Sequence, residues 1–408
     1  MEAYIVDAVR TPRGKGRPDG ALHGVHPQEL LAQCLRALPA RVGFDPVEVE
    51  DVVMGNGILA GDHGDDVARM AVLLAGWPET VPGMVLNRFC GSAQQAITMA
   101  ATGVASGAQD LVIAGGVEMM SRWDLTVGSV TIDGGNPDLR AQYHPVPQGI
   151  SADLIATLEG FTRDDVDAFA AESQARTEVA VAEGRFERSL LAVTRPDGSV
   201  LCDRDEHPRA GTTVEKLAGL KPAFAVMGET ASPEGPTYDE LCVQRYPSIS
   251  AVEHVHHAGN SSGVVDGAAA VLVASKAWCE ADGVTPRARV RAAAVLGSEP
   301  LIMLTAPAAT SQRCLDKAGM TVADIDLWEI NEAFAAVPLK AIKDLGLDPG
   351  RVNVNGGAIA LGHPIGATGV RILTTLLHEM QRRKAKLGLE TMCVGGGQGI
   401  AALFNSPQ

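Results

Sequence analysis

The sequence predicts an α/β chain built from two related halves with an unlike region between them. Three observations carry that expectation. Short apolar runs alternate with helix-patterned stretches, the second half repeats the order of the first, and the 45 glycines gather in bursts where strands turn into helices.

The alternation starts at once. AYIVDA (3–8), DVVMG (51–55), GMVL (83–86) and DLVIAGG (110–116) have the composition of buried strands. Between them, PQELLAQCLRAL (27–38), DDVARMAVLLAG (65–76) and SAQQAITMAATGVASG (92–107) carry helical spacing. Strands and helices in this order imply βαβ units on a mostly parallel sheet.

The repeat is the more informative signal. VGFDPVEVEDVVMGN (42–56) parallels AGMTVADIDLWEIN (318–331): a glycine after a helix, an acidic turn, then a strand closing on Asn56 or Asn331. About 33 residues beyond each Asn stands a helix entrance with a reactive side chain, Cys90 in one half and His363 in the other. A strand running into paired glycines follows each, Gly115-Gly116 and Gly395-Gly396, and both halves close on small apolar strands, GAAAVLVAS (267–275) and GIAALFNS (399–406). Four segments in one order imply an internal duplication. The halves are expected at 1–120 with 249–276 and at 277–408, with 121–248 set between them. That middle region is expected to be polar and loop-like, apart from a solvent-facing helix over 161–186, capped by Thr162 with Asp165 and ended by Gly184.

Composition narrows the function. A net charge of −15 argues against nucleic acid or an anionic membrane as the main partner. There is no 18-residue apolar run, signal-peptide pattern or peroxisomal ending, so a cytoplasmic protein is expected. Seven cysteines without close pairs fit free thiols in a reducing compartment.

The chemistry gathers at four stations. Cys90, in NRFCGSAQQA, stands where helix N–H groups and the positive dipole end would favour a thiolate. A buried cysteine used as a small hydrophobe is the ordinary alternative. His363, in NGGAIALGHPIGATG, is the base candidate, since an unperturbed thiol is only a few per cent ionised near pH 7. Cys393, in TMCVGGGQG, is a second thiol leading into three glycines whose N–H groups can face a ligand oxygen, and Asn331 closes the strand of WEINEAFA.

These stretches together resemble the thiolase family, the acetyl-CoA acyltransferases, over essentially the whole length. The resemblance implies a layered αβαβα core of duplicated βαβ halves with an inserted loop domain that covers coenzyme A. It implies Cys90 as nucleophile, His363 as its activator and Cys393 as a second acid/base. His363 and a water held by Asn331 would form one oxyanion hole, and the N–H groups of Cys90 and Gly395 another. Lys221, Ala258, Ser262, Ala333, Phe334 and Met303 would line the coenzyme A and acyl channel. Coenzyme A enters as substrate, with no permanently bound cofactor or metal, and the assembly would be a homodimer or homotetramer through edge strands of the first half. The expected reaction is reversible thiolytic cleavage of 3-ketoacyl-CoA, in the degradative direction. A biosynthetic acetoacetyl-CoA thiolase is the alternative. A ketosynthase-type condensing enzyme lacks the second thiol, and a non-catalytic lipid carrier would lose Cys90 or His363.

Four departures bear on the acyl group, one of them a 225–257 segment longer than in short-chain biosynthetic members of the family. A His-Met pair common near the acyl pocket is replaced by VPQGISAD (146–153), Met303 is followed by Leu304 instead of glycine, and Ala93 replaces the glycine after CGS. GQGIAA (397–402) mimics a dinucleotide fingerprint but leaves no room for the helix it needs. HVHH (254–257) is expected to be solvated or strand-flanking, not a metal site, and GDHGDD (61–66) to be an acidic turn.

Overall fold

The computed structural model describes residues 2–123 and 132–407; Met1, Gln408 and 124–131, the last within the expected loop domain, lie outside the described residues. Nine strands form the spine: β1 Ala3–Arg10, β2 Asp51–Gly55, β3 Met84–Leu86, β4 Leu111–Met119, β5 Val265–Ala274, β6 Ala288–Gly297, β7 Leu327–Ile330, β8 Leu387–Val394 and β9 Gln398–Asn405. They lie in the order β7-β8-β9-β6-β1-β5-β4-β2-β3, with the short strand Gly14–Lys15 also paired to β5.

The duplication is visible in the pairing. In the first half β2 runs parallel to β4, which is antiparallel to β5; in the second β7 runs parallel to β8, which is antiparallel to β9. The parallel β2–β3 pair has its counterpart in a single parallel bridge, Trp328 to Val352. Each half even enters this unit through a capped 3₁₀ turn, with a capping box from Asp45 and Glu48 in one and Thr321 and Asp324 in the other. Antiparallel pairing of β1 with β6 joins the halves.

Two helices, α2 Ser92–Ala105 and α7 Thr368–Arg383, sit between the halves and share one core with strands of both. Alanines 93, 96, 100 and 101 let them approach closely, and a methyl at Gly369 would strike the backbone of Gln94. The outer faces are covered separately, by α1 Pro27–Val42 on the first half and α5 Ala306–Ala318 on the second. The result is five layers: helices, strands, central helices, strands, helices. Among the described residues no helix is long and apolar enough to cross a membrane.

Three expectations need correction. Gly115 and Gly116 lie inside β4 rather than at its end; a side chain on Gly116 would fall on the carbonyl oxygen of Gly366 in the loop after His363, and one on Gly115 on the carbonyl oxygen of Ala269 in β5. The middle region is not mainly loop: α3 Gln148–Glu159 is largely buried, and α4 Arg163–Ala182 keeps the predicted cap but buries one face through Val166, Ala170 and Ser173. Both helices share a core with Met303 and Ala333 of the second half, whereas Val193 and Cys202 belong to the first-half core. The histidines of HVHH are likewise not solvated. His256 Nδ1–H donates to Asp153 at 2.7 Å, its Nε2 accepting from Ala336 N–H, and His257 meets Asp167 at 2.9 Å, both fully enclosed. Residues 254–257 carry too few apolar side chains to seal themselves, so paired carboxylates from α3 and α4 make the burial possible.

Burial also strands charge inside the second half. Glu329 and Glu390 are register partners on β7 and β8 and therefore share a face. Burial pushes Glu329 up to about 8 and Glu390 well above the ordinary carboxylate range, and neither oxygen of Glu390 has a partner among the described residues. A carboxyl whose folded pKa is raised binds its proton longer in the native than in the unfolded state. Stability should therefore fall as pH rises above about 4.5, by about 1.4 kcal/mol per pH unit for each retained proton. Glu390→Gln is expected to flatten that slope in urea unfolding between pH 6 and 9; an unchanged slope would mean that Glu390 is already ionised in the folded protein.

Candidate active site

Cys90 lies in a 3₁₀ turn, Phe89–Gly91, at the entrance of α2. The turn is strained: Phe89 has φ of 45°, a region that costs a non-glycine residue about 1–3 kcal/mol. Its neighbours hold it there. Phe89 N–H donates to Asn87 Oδ1 at 2.7 Å, and Ser92 Oγ accepts from Arg88 N–H at 2.9 Å while donating to the Phe89 carbonyl at 2.7 Å. Gly91 is required because a methyl there would press on Val394 and Ile400 of the other half at 2.9 Å. The nucleophile turn thus rests directly on β8 and β9.

Cys393, one residue before the end of β8, is fully buried. Beyond it the chain turns, and Gly395 N–H donates to the Cys90 sulfur. The two sulfurs are close enough that charge on Cys90 raises the Cys393 thiol. Burial dominates both groups. It pushes Cys90 up to about 11 against the hydrogen bonds from Gly395 and its own N–H, and pushes Cys393 higher still. The helix entrance favours the thiolate, as expected, but desolvation outweighs it, which leaves activation to the neighbouring base.

His363 has a defined tautomer. Thr368 Oγ1 donates to the Pro364 carbonyl at 2.8 Å, so it accepts from Nδ1–H of His363 at 2.6 Å. That leaves Nε2 as the acceptor, facing Asn331 Nδ2 at 3.4 Å. Burial, then the charge of Arg371, pushes the imidazole down to about 3, so it is neutral at ordinary pH and able to take a proton. Asn331 follows β7, its N–H donating to Thr391 two residues before Cys393, and its Oδ1 is buried without a partner among the described residues.

Sequence reasoning missed the groups that hold these four. Glu118 accepts from Gly57 N–H at 2.7 Å and Gly366 N–H at 2.9 Å, tying the loop after His363 to the first half, and burial raises it to about 7. Gln398 donates to the Gly395 carbonyl at 3.2 Å and accepts from Arg88 at 2.9 Å, which fixes the turn that faces Cys90. These partners are 248 and 310 residues apart in sequence, beyond the reach of any local pattern.

The six residues expected along the coenzyme A and acyl channel fall into two groups. Lys221 and Ala258 are exposed, and Gly259 packs against Leu217 and Leu220, so the two share one edge. Ser262 N–H donates to the Ala333 carbonyl at 2.9 Å, and Phe334 stacks edge-on with Phe224 at 5.9 Å just below that edge. Met303 is fully buried in the core cluster that also holds Ala333 and Cys393, in a turn with φ of 39°. A cleft of about 1110 Å³ lined by Lys276, Arg291 and Lys386 includes none of these residues and neither Cys90 nor Cys393. No group of three or more His, Cys, Asp or Glu among the described residues could hold a metal ion.

Comparison with known proteins agrees with this geometry. Residues 3–236 match the family described as Thiolase, N-terminal domain, and residues 284–406 the one described as Thiolase, C-terminal domain. The chain is 42% identical over 418 residues to an acetyl-CoA acetyltransferase of Pseudomonas aeruginosa, covering 98% of each. It is 40% identical over 410 residues to a 3-ketoacyl-CoA thiolase of Aeromonas hydrophila, and 39% identical over 424 residues to a beta-ketoadipyl-CoA thiolase of Escherichia coli, covering 99% of each chain in both cases.

Proposed function

The chain belongs to the thiolase family and is an acyltransferase, and from that premise we propose that it cleaves 3-ketoacyl-CoA with coenzyme A through an acyl group carried on Cys90. The observation that carries the reading is the meeting of Cys90 with the Gly395 N–H and the Cys393 thiol across the two halves.

Because the Cys90 thiol is held near 11, attack requires a base, and neutral His363 with its unprotonated Nε2 supplies one. In the first step His363 takes the Cys90 proton and the sulfur bonds to the 3-keto carbon. The bond between carbons 2 and 3 then breaks, its electrons pass to carbon 2, and Cys393 protonates that carbon as acetyl-CoA leaves. In the second step the Cys393 thiolate takes the proton of an incoming coenzyme A thiol, whose sulfur displaces Cys90; His363 returns the first proton. Burial of Cys393 serves this cycle. A thiol with a strongly raised pKa narrows the gap to a carbon acid, so proton transfer to or from the α-carbon is less uphill.

Repulsion between adjacent thiolates keeps the two cysteines from ionising together, so one proton alternates between the half-reactions. Oxyanion stabilisation is assigned to the Gly395 and Cys90 N–H groups for the acyl carbonyl, and to His363 Nε2 with a water on Asn331 for the thioester enolate. Lys221, in a covering region over 121–248, and Ala258, Ser262, Ala333 and Phe334 outside it are assigned to coenzyme A, and the exposed side chains of Met70, Leu73 and Met84 near edge strand β3 to a homo-oligomeric contact. The degradative direction is supported by Leu304 and by the long 225–257 segment, and a cytoplasmic site by the free thiols.

The test is labelling. Iodoacetamide should modify Cys90 fastest of the seven cysteines, and acetyl-CoA should protect it by forming the acyl-enzyme. Equal, slow labelling of all seven, with no thiolysis of any 3-ketoacyl-CoA, would refute the reading.

A further inference from the structure

Both loops that carry the catalytic pair are anchored on one carboxylate. Glu118, the last but one residue of β4, is fully buried, and three N–H groups point at it. Its Oε2 accepts from Gly57 at 2.7 Å and from Gly366 at 2.9 Å, and its Oε1 accepts from Trp123 Nε1 at 3.1 Å. The first two donors lead to different members of the pair. Asn87 Nδ2 donates to the Gly57 carbonyl at 2.9 Å, while Asn87 Oδ1 accepts from the N–H of Phe89, the residue before Cys90. Gly366 lies in the turn Ile365–Ala367, which runs into Thr368, the acceptor for His363 Nδ1–H.

The loops also touch directly. A methyl at Gly57 would strike Ile365 at 2.6 Å, and one at Gly366 would strike the Asn56 backbone at 2.7 Å. Packing limits how near the loops come, and the shared carboxylate draws them together. An ionised carboxylate suits three donors because it only accepts. Once protonated it brings an O–H of its own among N–H groups, and its remaining bonds lose the charge that makes them about twice as strong.

We propose that Glu118 is a positioning residue for acyl transfer, whose ionised form sets the distance between Cys90 and His363 and whose protonation relaxes it. The inference rests on the proposed thiolase reaction and adds its control by pH. Burial raises Glu118 to about 7, so the change falls near neutrality. The ionised form is the active one, and the rate is lost as pH falls through that value. A displacement of about 1 Å between reacting groups can cost about 10²-fold.

The titratable and charged groups near Glu118 are Cys90, His363, His63, Asp266 and the Arg122–Asp62 pair. Cys90 is pushed up to about 11, and His363 and His63 down to about 3 and 4. Asp266, pushed up to about 6, is the rival source of a transition, and His23 shares the Ser121 hydroxyl with it. Both are replaced as controls.

The experiment is single-turnover acetylation of Cys90 by acetyl-CoA, which carries no free thiol, between about pH 5.5 and 8.5. The native maximal rate should fall about tenfold or more on the acid side of a midpoint near 7, with half-saturating acetyl-CoA constant within about twofold. Glu118→Gln copies the protonated form and should hold the low rate throughout, with no transition. Trp123→Phe removes a donor that favours the carboxylate from a half-buried position, and should move the midpoint upward by about half a pH unit. A native transition retained in Glu118→Gln, even with a lower melting temperature, would mean a structural role only and overturn the inference. So would a transition abolished by Asp266→Asn or His23→Gln, or a midpoint unmoved in Trp123→Phe. No acetyl-Cys90 in the native enzyme at any pH would count instead against the thiolase reading.

Discussion

Replacing His363 with asparagine should lower kcat/KM for thiolysis by about 10⁴-fold, the sum of a lost general base and a weakened oxyanion site. The size follows from the environment of Cys90. Had the helix entrance made a stable thiolate, the base would matter little; with the thiol held near 11, only a trace is ionised at neutral pH. The variant should also alkylate slowly at Cys90, and raising the pH towards 10 should recover part of that rate by ionising the thiol directly. In the native enzyme the imidazole is neutral down to about pH 3, so the rate should show no inflection near 6.5 from this residue. Alkylation of the variant at the native rate would remove His363 from the activation step. Asparagine keeps a hydrogen-bonding group against Thr368, so a folding defect can be checked separately by the melting temperature.

The second large effect is on stability. Arg10 and Arg13, both 1% exposed, converge on Asp205, which reaches them from the middle region with four hydrogen bonds of 2.9–3.1 Å from their guanidinium groups. The two guanidinium groups hold its carboxyl far below the usual range despite full burial. The sign is that of a depressed acid: the contribution is present at all pH above about 3.9 and fades only in strong acid. Asp205→Ala leaves two buried cations facing each other and should cost about 3–5 kcal/mol in urea unfolding. Because Arg10 ends β1 and Asp205 belongs to 121–248, the loss should also loosen the attachment of the segment 186–207. Converting all three residues together to apolar side chains should recover most of the loss; a triple variant as unstable as Asp205→Ala would show that the charges, and not their imbalance, hold the segment.

How much of this was legible beforehand differs from element to element. DVVMG is β2 at the predicted bounds, and the capped helix at 162 begins as expected, because each depends on neighbours within four residues. The repeated units were legible for a related reason. A duplicated segment meets the same layered surroundings twice and so keeps the same pattern. The burial of HVHH was not legible, since Asp153 and Asp167, which permit it, are about 100 and 90 residues away.

By itself the sequence determined the α/β class, the duplication, and the residue types that the reaction uses, for these follow from periodicity and from chemistry that few side chains can perform. The tertiary structure alone decided their ionisation and their neighbours. Cys90 is a thiol and not a thiolate, Glu118 and Gln398 fix the loops around it, and Asn331 Oδ1 stands buried without a partner among the described residues. The reason is that a pKa and an orphaned hydrogen bond are set by what excludes water, and here that exclusion is made by segments hundreds of residues apart.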